Sequence, residues 1–148
     1  MAAYLSTELG GSANQTAAPV GYKPRATVYG AVLKRLRATF TYASQTTSDT
    51  LVVGNLPAGA TFAFGVLTAS ASSGSTTLAI GITGTTGKYR AAAAFTTTDT
   101  PTMFGLTAQV GASDPALSAE ENVFITLAAA TAPSSGTLVV DLYYSMPQ

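Results

Sequence analysis

The chain contains no cysteine and no histidine. Without cysteine there is no disulfide framework and no thiolate metal site. Without histidine the usual general base is gone, and a serine triad would have to be a Ser–Lys variant. Charge is scarce as well: Asp, Glu, Lys and Arg make up 9% of the 148 residues, against roughly 25% in ordinary soluble domains. Thr, Ser, Ala and Gly take their place. A surface this poor in charge lacks the usual protection against association and suits a protein covered by copies of itself or by a partner. No apolar run approaches the ~18 residues of a membrane helix. The opening "MAAYLSTELGG" has neither a basic stretch nor an apolar core of the secretory kind. The expectation is synthesis in the cytoplasm without secretion or membrane insertion, which makes the sequon "NQT" at 14–16 accidental.

Glycine is present, and "GITGTTGKYR" (81–90) looks at first like a phosphate loop. That loop needs Gly, four residues, then Gly-Lys-Ser/Thr. Five residues separate Gly81 from Gly87, and Tyr89 stands where the metal-binding hydroxyl belongs. The stretch instead lies between two alternating segments. It reads as a hairpin connection, with Gly84 and Gly87 supplying positive-φ positions and Lys88 a solvated tip.

Alternation dominates from residue 34 onward. Leu36, Ala38, Phe40 and Tyr42 share one face of "KRLRATFTYA". Phe62, Phe64 and Val66 share one face of "TFAFGVLTA", and Leu78, Ile80 and Ile82 share one face of "STTLAIGI". Val123, Ile125 and Leu127 do the same in "NVFITLAAA". In "GTLVVDLYYS", Leu138, Val140, Leu142 and Tyr144 align and leave Asp141 outward. Turn chemistry separates these segments ("SQTTSD", "NLPAG", "SASSG", "TAPSSG"). The spacing predicts eight strands, at 34–43, 50–54, 61–69, 76–82, 89–95, 101–106, 122–130 and 136–145. Short strands of this number with intervening turns predict an all-β, antiparallel β-sandwich, with a jelly roll preferred over an immunoglobulin-like arrangement. Leu36, Phe40, Leu78, Ile80, Ile125, Leu127, Val140 and Leu142 are the expected core. Helix is confined to a turn or two in "DPALSAEEN", where Asp114 and Pro115 resemble an N-cap and first helical position.

Residues 1–33 read differently. "GGSANQTAAPVGYKP" has the composition of a loop or arm, yet Tyr4, Leu5, Leu9, Val20 and Tyr22 supply apolar anchors that a purely flexible tail does not need. The expected organisation is an extended N-terminal arm, 1–33, followed by a sandwich domain, 34–148. Charge sign is also uneven. Lys23, Arg25, Lys34, Arg35 and Arg37 place five of seven bases within fifteen positions with no acid among them. That run predicts an acidic contact surface on a partner. The expected partner-contact residues are therefore Tyr4, Leu5, Leu9, Tyr22, Lys23, Arg25, Lys34, Arg35 and Arg37. Nucleic acid fits less well, since Tyr22, Tyr29, Phe40 and Tyr42 only loosely resemble the stacking platforms such proteins use.

The acids suggest no catalyst. Asp49, Asp99 and Asp114 sit in turn-like contexts where Asp caps the backbone. Glu120 and Glu121 precede a strand, Asp141 faces out from one, and Glu8 belongs to the arm. No spacing among them resembles a calcium loop, and Lys88 is a poor catalytic lysine in an exposed turn. Neither an enzyme nor a cofactor or metal requirement is expected.

Taken together, "KRLRATFTY", "DTLVVGNLPAGATF", "TTLAIGITGTTGKYRAAAAFTTTDTPTMFG" and "GTLVVDLYY" resemble small structural proteins encoded among the virion genes of tailed bacteriophages, of the head decoration or cement type. The likeness spans residues 34 to 145 and is one of texture and phrase. It implies a small β-rich protein, often trimeric, that sits on the outside of a capsid shell and stabilises it. The major capsid protein or other virion proteins, and further copies of itself, would be its partners. A neck, collar, tail or fibre-base component and a carbohydrate-binding β domain remain as alternatives. The arm lies outside the resembling part.

Overall fold

The computed structural model describes residues 31–47, 49–105 and 116–146. Eight strands and no helix occur among them: β1 (Val32–Thr41), β2 (Thr50–Leu56), β3 (Thr61–Ala69), β4 (Thr77–Ile82), β5 (Thr85–Ala94), β6 (Thr102–Phe104), β7 (Glu121–Ala128) and β8 (Thr137–Met146). They form two antiparallel four-stranded sheets, ordered β1-β8-β3-β6 and β2-β7-β4-β5.

This order has a simple origin. β1 pairs with β8, β2 with β7, β3 with β6 and β4 with β5, as in one long hairpin whose tip is the β4–β5 turn. Folding that ribbon over adds the lateral pairs β3·β8 and β4·β7 and buries one face of each half. The result is the jelly roll, with two facing sheets and eight strands.

The core is the expected alternation realised. Leu78, Ile80, Ile125, Leu127, Leu138, Val140 and Leu142 are all at or below 1% exposure, joined by Leu56, Leu67, Val123 and Tyr42. Each fully buried aliphatic side chain contributes roughly 1.5–3 kcal/mol. β8 and β7 supply most of this layer because each is flanked on both sides in its sheet. Leu36 and Phe40 are only partly buried, since β1 is an edge strand and its inner face lies at the sandwich flank.

Turn chemistry holds the connections as the composition suggests. Asp49 Oδ2 accepts from the Thr46 backbone N–H at 2.6 Å. Asp99 takes a left-handed φ of 53° while its N–H donates to the Ala69 carbonyl. Ser73 Oγ donates to the Thr76 carbonyl and accepts from the Phe95 N–H. The expected helical turn does not form in residues 116–120, which are irregular up to the start of β7. Asp114 and Pro115 lie outside the described residues, as does the arm through residue 30.

Two further expectations require correction. Phe64 and Val66 do not share the face of Phe62. Phe62 pairs with Tyr144 and Phe64 with Tyr143, so Ala63 is an extra residue, a β-bulge that reverses the alternation. Beyond it Gly65, Leu67 and Ala69 turn inward, and Phe104 lies across Gly65. The hairpin tip is also tighter than expected. The turn is Thr83-Gly84, with Gly84 at φ 82°, and β5 starts at Thr85 rather than near Tyr89. Gly87 belongs to the strand and needs no unusual φ.

Of Gly81 and Gly87, the first has no room for a side chain and the second does. A Cβ on Gly81 would stand 2.2 Å from the Thr85 carbonyl oxygen and 2.5 Å from that of Thr86, because the bulged start of β5 crosses directly over it. Gly81→Ala is therefore expected to cost about 3 kcal/mol, the severe end of overpacking. At Gly87 the nearest atom would be 3.4 Å away, and Gly87→Ala should stay within about 0.5 kcal/mol. Urea midpoints of the two variants check this. Equal losses would contradict the close approach.

Candidate functional site

No three acids among the described residues converge in a way that could hold a metal ion. Chemistry-bearing side chains instead occupy two places, the β5–β7 contact and the outer face of the β1-β8-β3-β6 sheet.

At the first, Lys88 and Tyr89 both reach Glu121 at the start of β7. Lys88 Nζ pairs with Oε1, and the Tyr89 hydroxyl donates to Oε2 at 2.5 Å. The Tyr89 ring packs on Phe62 with centroids 4.5 Å apart, and Lys88 lies 5.4 Å from its centroid. Burial and the Glu121 carboxylate push the Tyr89 hydroxyl well above its ordinary pKa, so it remains a donor. Lys88 is thus a partner of Glu121, which corrects its reading as a solvated tip. Arg90, next along β5, donates to the carbonyls of Leu78 and Ala93, near the register shift between Leu78 and Ile80. Asn55 Nδ2 donates to Glu120 at 2.7 Å. These groups tie strands together, and none is poised for acid–base work.

The outer face of the other sheet is built in rows. Arg35, Tyr143 and Phe64 form one row, with Phe64 and Tyr143 stacked at 4.6 Å and 19°. Arg37, Asp141, Val66 and Met103 form the next. Thr39, Val139 and Thr68 form a third. Leu33 lies at one end, 55% exposed, and Met103 at the far edge, 51% exposed. The face is therefore largely apolar and aromatic, with its charges concentrated along β1.

Asp141 faces outward as expected but is not free. Arg37 Nε and Nη2 donate to its two oxygens at 2.7 and 2.6 Å, a bidentate pair. Arg35 Nε stands 4.0 Å from the same carboxylate. The Arg37 hydrogen bond holds the Asp141 carboxyl below its ordinary pKa, against the opposing effect of burial, with the Arg37 and Arg35 charges adding to it. Asp141 is about one-twentieth exposed, whereas the two arginine side chains are half exposed at 51% and 52%.

The expected contact residues thus divide. Lys34, Arg35 and Arg37 lie together on β1, with Lys34 exposed. Tyr4, Leu5, Leu9, Tyr22, Lys23 and Arg25 lie outside the described residues. What residue spacing could not reveal was that Arg37 and Asp141, 104 positions apart, are cross-strand neighbours. That follows only from the β1·β8 register. The Phe64–Tyr143 stack was hidden by the bulge at Ala63.

A group with a depressed folded pKa contributes stability that is complete above its unfolded value and fades as pH falls through the folded one. The Asp141 contribution is therefore expected to be full above about pH 5 and to fade below about pH 4, given an unfolded Asp near 3.9. Asp141→Asn should lower the melting temperature at pH 7 and flatten this part of the acid limb. An acid limb identical to wild type would show that the pair contributes nothing.

No family model and no curated protein matches the chain. Among solved structures it is similar to a chain of the cyanophage Pam1 capsid asymmetric unit, at 23% identity and a TM-score of 0.64, over 92% of this chain and 96% of that one. It is also similar to a chain of the acidic stable capsid of Helicobacter pylori bacteriophage KHP30 (16% identity, TM-score 0.57, 79% of this chain and 90% of that one). A third likeness is to a chain of the capsid of Ralstonia phage GP4, with 18% identity and a TM-score of 0.54 over 80% and 85% of the two chains. At these identities the likeness is one of fold.

Proposed function

We propose that the chain is a non-enzymatic structural protein of a bacteriophage virion that decorates the capsid shell and stabilises it. One observation carries this reading: the same jelly roll, nearly end to end, in a chain of a phage capsid asymmetric unit. The match covers nearly all of both chains, so the two are of about the same length.

The surface supports the same reading. Charged groups are few, and Arg37, Asp141, Lys88, Glu121 and Arg90 are engaged with other parts of the fold. A surface with little repulsion suits many weak contacts repeated by symmetry, which hold a lattice without any single strong site. The partners are the major capsid protein or other virion proteins and further copies of this chain, most simply as a trimer. In this reading the arm, expected at 1–33 but ending before β1 takes up Val32 and Leu33, leaves its own domain and packs on neighbouring subunits or on the shell. Tyr4, Leu5, Leu9 and Tyr22 are the anchors, and Lys23, Arg25, Lys34 and Arg35 lie toward acidic partner surface, with the half-exposed Arg37 beside them.

Copy number in purified particles tests the function. Quantitative mass spectrometry is expected to find hundreds of copies per virion. Six or twelve would indicate a neck or tail component instead, and absence from particles would refute both. Deleting residues 1–24 should leave the domain folded, judged by an unchanged β-type circular dichroism spectrum, but weaken incorporation into particles. Reversing Arg35 to Glu should weaken incorporation most at low salt, and the gap to wild type should narrow as salt rises, since exposed electrostatic contacts are screened. Undiminished decoration by the truncated chain would reduce the arm to a passive tail.

A further inference from the structure

Four strands form the lateral edges of the two sheets: β1 and β6 in one, β2 and β5 in the other. An open edge is a row of unpaired N–H and C=O groups that templates another strand, and folded proteins usually blunt it. Three of these edges are blunted. β6 is three residues long. β2 carries a bulge between Val52 and Gly54, and β5 is displaced at two places against β4. β1 is different. It runs ten residues in unbroken register with β8, from Val32 opposite Met146 to Thr41 opposite Thr137, and β8 is its only ladder partner among the described residues.

The side chains of β1 describe what would fit beside it. On the inner side Leu36, Ala38 and Phe40 are only partly buried, so the apolar layer ends incompletely at this flank. On the outer side Arg35 and Arg37 share one carboxylate, Asp141, and remain half exposed. A fitting strand therefore carries two apolar residues four positions apart and an acid on the opposite face. A second copy of β1 fits less well, because it brings no acid to Arg35 and Arg37 and, where its basic end lies opposite itself, sets like charges together.

We propose that the free edge of β1 takes up residues 3–9 of a neighbouring copy as an added antiparallel strand. In "AYLSTEL" Leu5, Thr7 and Leu9 alternate with Tyr4, Ser6 and Glu8. Setting Leu9 opposite Leu36 brings Thr7 to Ala38 and Leu5 to Phe40, extending the apolar layer. The same register sets Glu8, the one acid before residue 49, opposite Arg37 and diagonal to Arg35, with Ser6 opposite Thr39. Backbone pairing supplies the affinity and the alternate side chains the register.

The neighbour is favoured over the same chain by length. Residues 10–31 separate the added strand from β1, far more than the roughly two to five residues that usually join neighbouring antiparallel strands of one chain. Extended, they reach up to roughly 70 Å at ~3.3 Å per residue, well beyond a domain of this size. This inference deepens the role given to the arm and rests on that reading. Its test uses purified protein without particles, so it succeeds or fails independently of where the chain sits in a virion.

Because the chain has no native cysteine, engineered pairs report unambiguously. Ser6→Cys with Thr39→Cys should give inter-chain disulfides on mild oxidation, seen as a ladder on non-reducing gels. Thr7→Cys with Thr39→Cys, whose side chains fall on opposite faces, should not. As a check that needs no substitution, every second amide of β1 should exchange about tenfold or more slower in the full chain than after deletion of residues 1–24, with β8 unchanged. An intra-chain disulfide, cross-linking by Thr39→Cys alone, or equal exchange in the two proteins would each overturn the proposal. Weaker incorporation into particles after deletion, with β1 exchange unaltered, would leave the arm its role and remove β1 as its site.

Discussion

The apolar layer between β8 and β7 is the constraint on which the rest of the structure depends. Leu138, Val140 and Leu142 face Val123, Ile125 and Leu127, with Leu78 and Ile80 beside them, and all are essentially inaccessible to water. No disulfide reinforces this layer, because the chain has no cysteine to form one. Strand side chains alternate with a period of two, so a slip of one residue in β8 or β7 would expose the whole set. The registers are fixed by that penalty. The surface then follows: β8 held inward at Leu142 presents Asp141 and Tyr143 outward, opposite Arg37 on one side and Phe64 on the other.

The outer sheet face is apolar and aromatic where β3 and β8 meet and charged along β1, and among the described strands one regular edge lies at that charged margin. The charge pairs at Lys88–Glu121 and Arg37–Asp141 span different strands, and each sits partly covered. Exposed pairs contribute little. These two fix which strands meet and, at the nearly buried Asp141, add stability as well.

Much of this was legible in the residues. Uninterrupted alternation marked the strands of the core, and the strands fall close to where turn chemistry and alternation predict them, except that β5 starts four residues early. The failures have specific physical causes. One extra residue at Ala63 reversed the faces of Phe64 and Val66, and a bulge leaves no periodic mark. Gly81 and Gly87 look alike in the sequence, yet only Gly81 lies beneath a crossing strand, a fact of three-dimensional approach. The basic run at 34–37 was recognisable as a candidate contact, but the commitment of Arg37 to Asp141 depends on a register joining residues 104 positions apart. The distinctive edge was likewise invisible, because it is defined by what its competitors lack.

Whether this jelly roll is a repeated unit of a virion shell is decided by an electron cryomicroscopy reconstruction of the particle that contains the chain. Eight-stranded density should repeat over the outer surface of the head, with an additional strand from a neighbouring subunit beside β1. Density for the sandwich only at the neck or tail, or a bare shell in particles that contain the protein, would rule that role out.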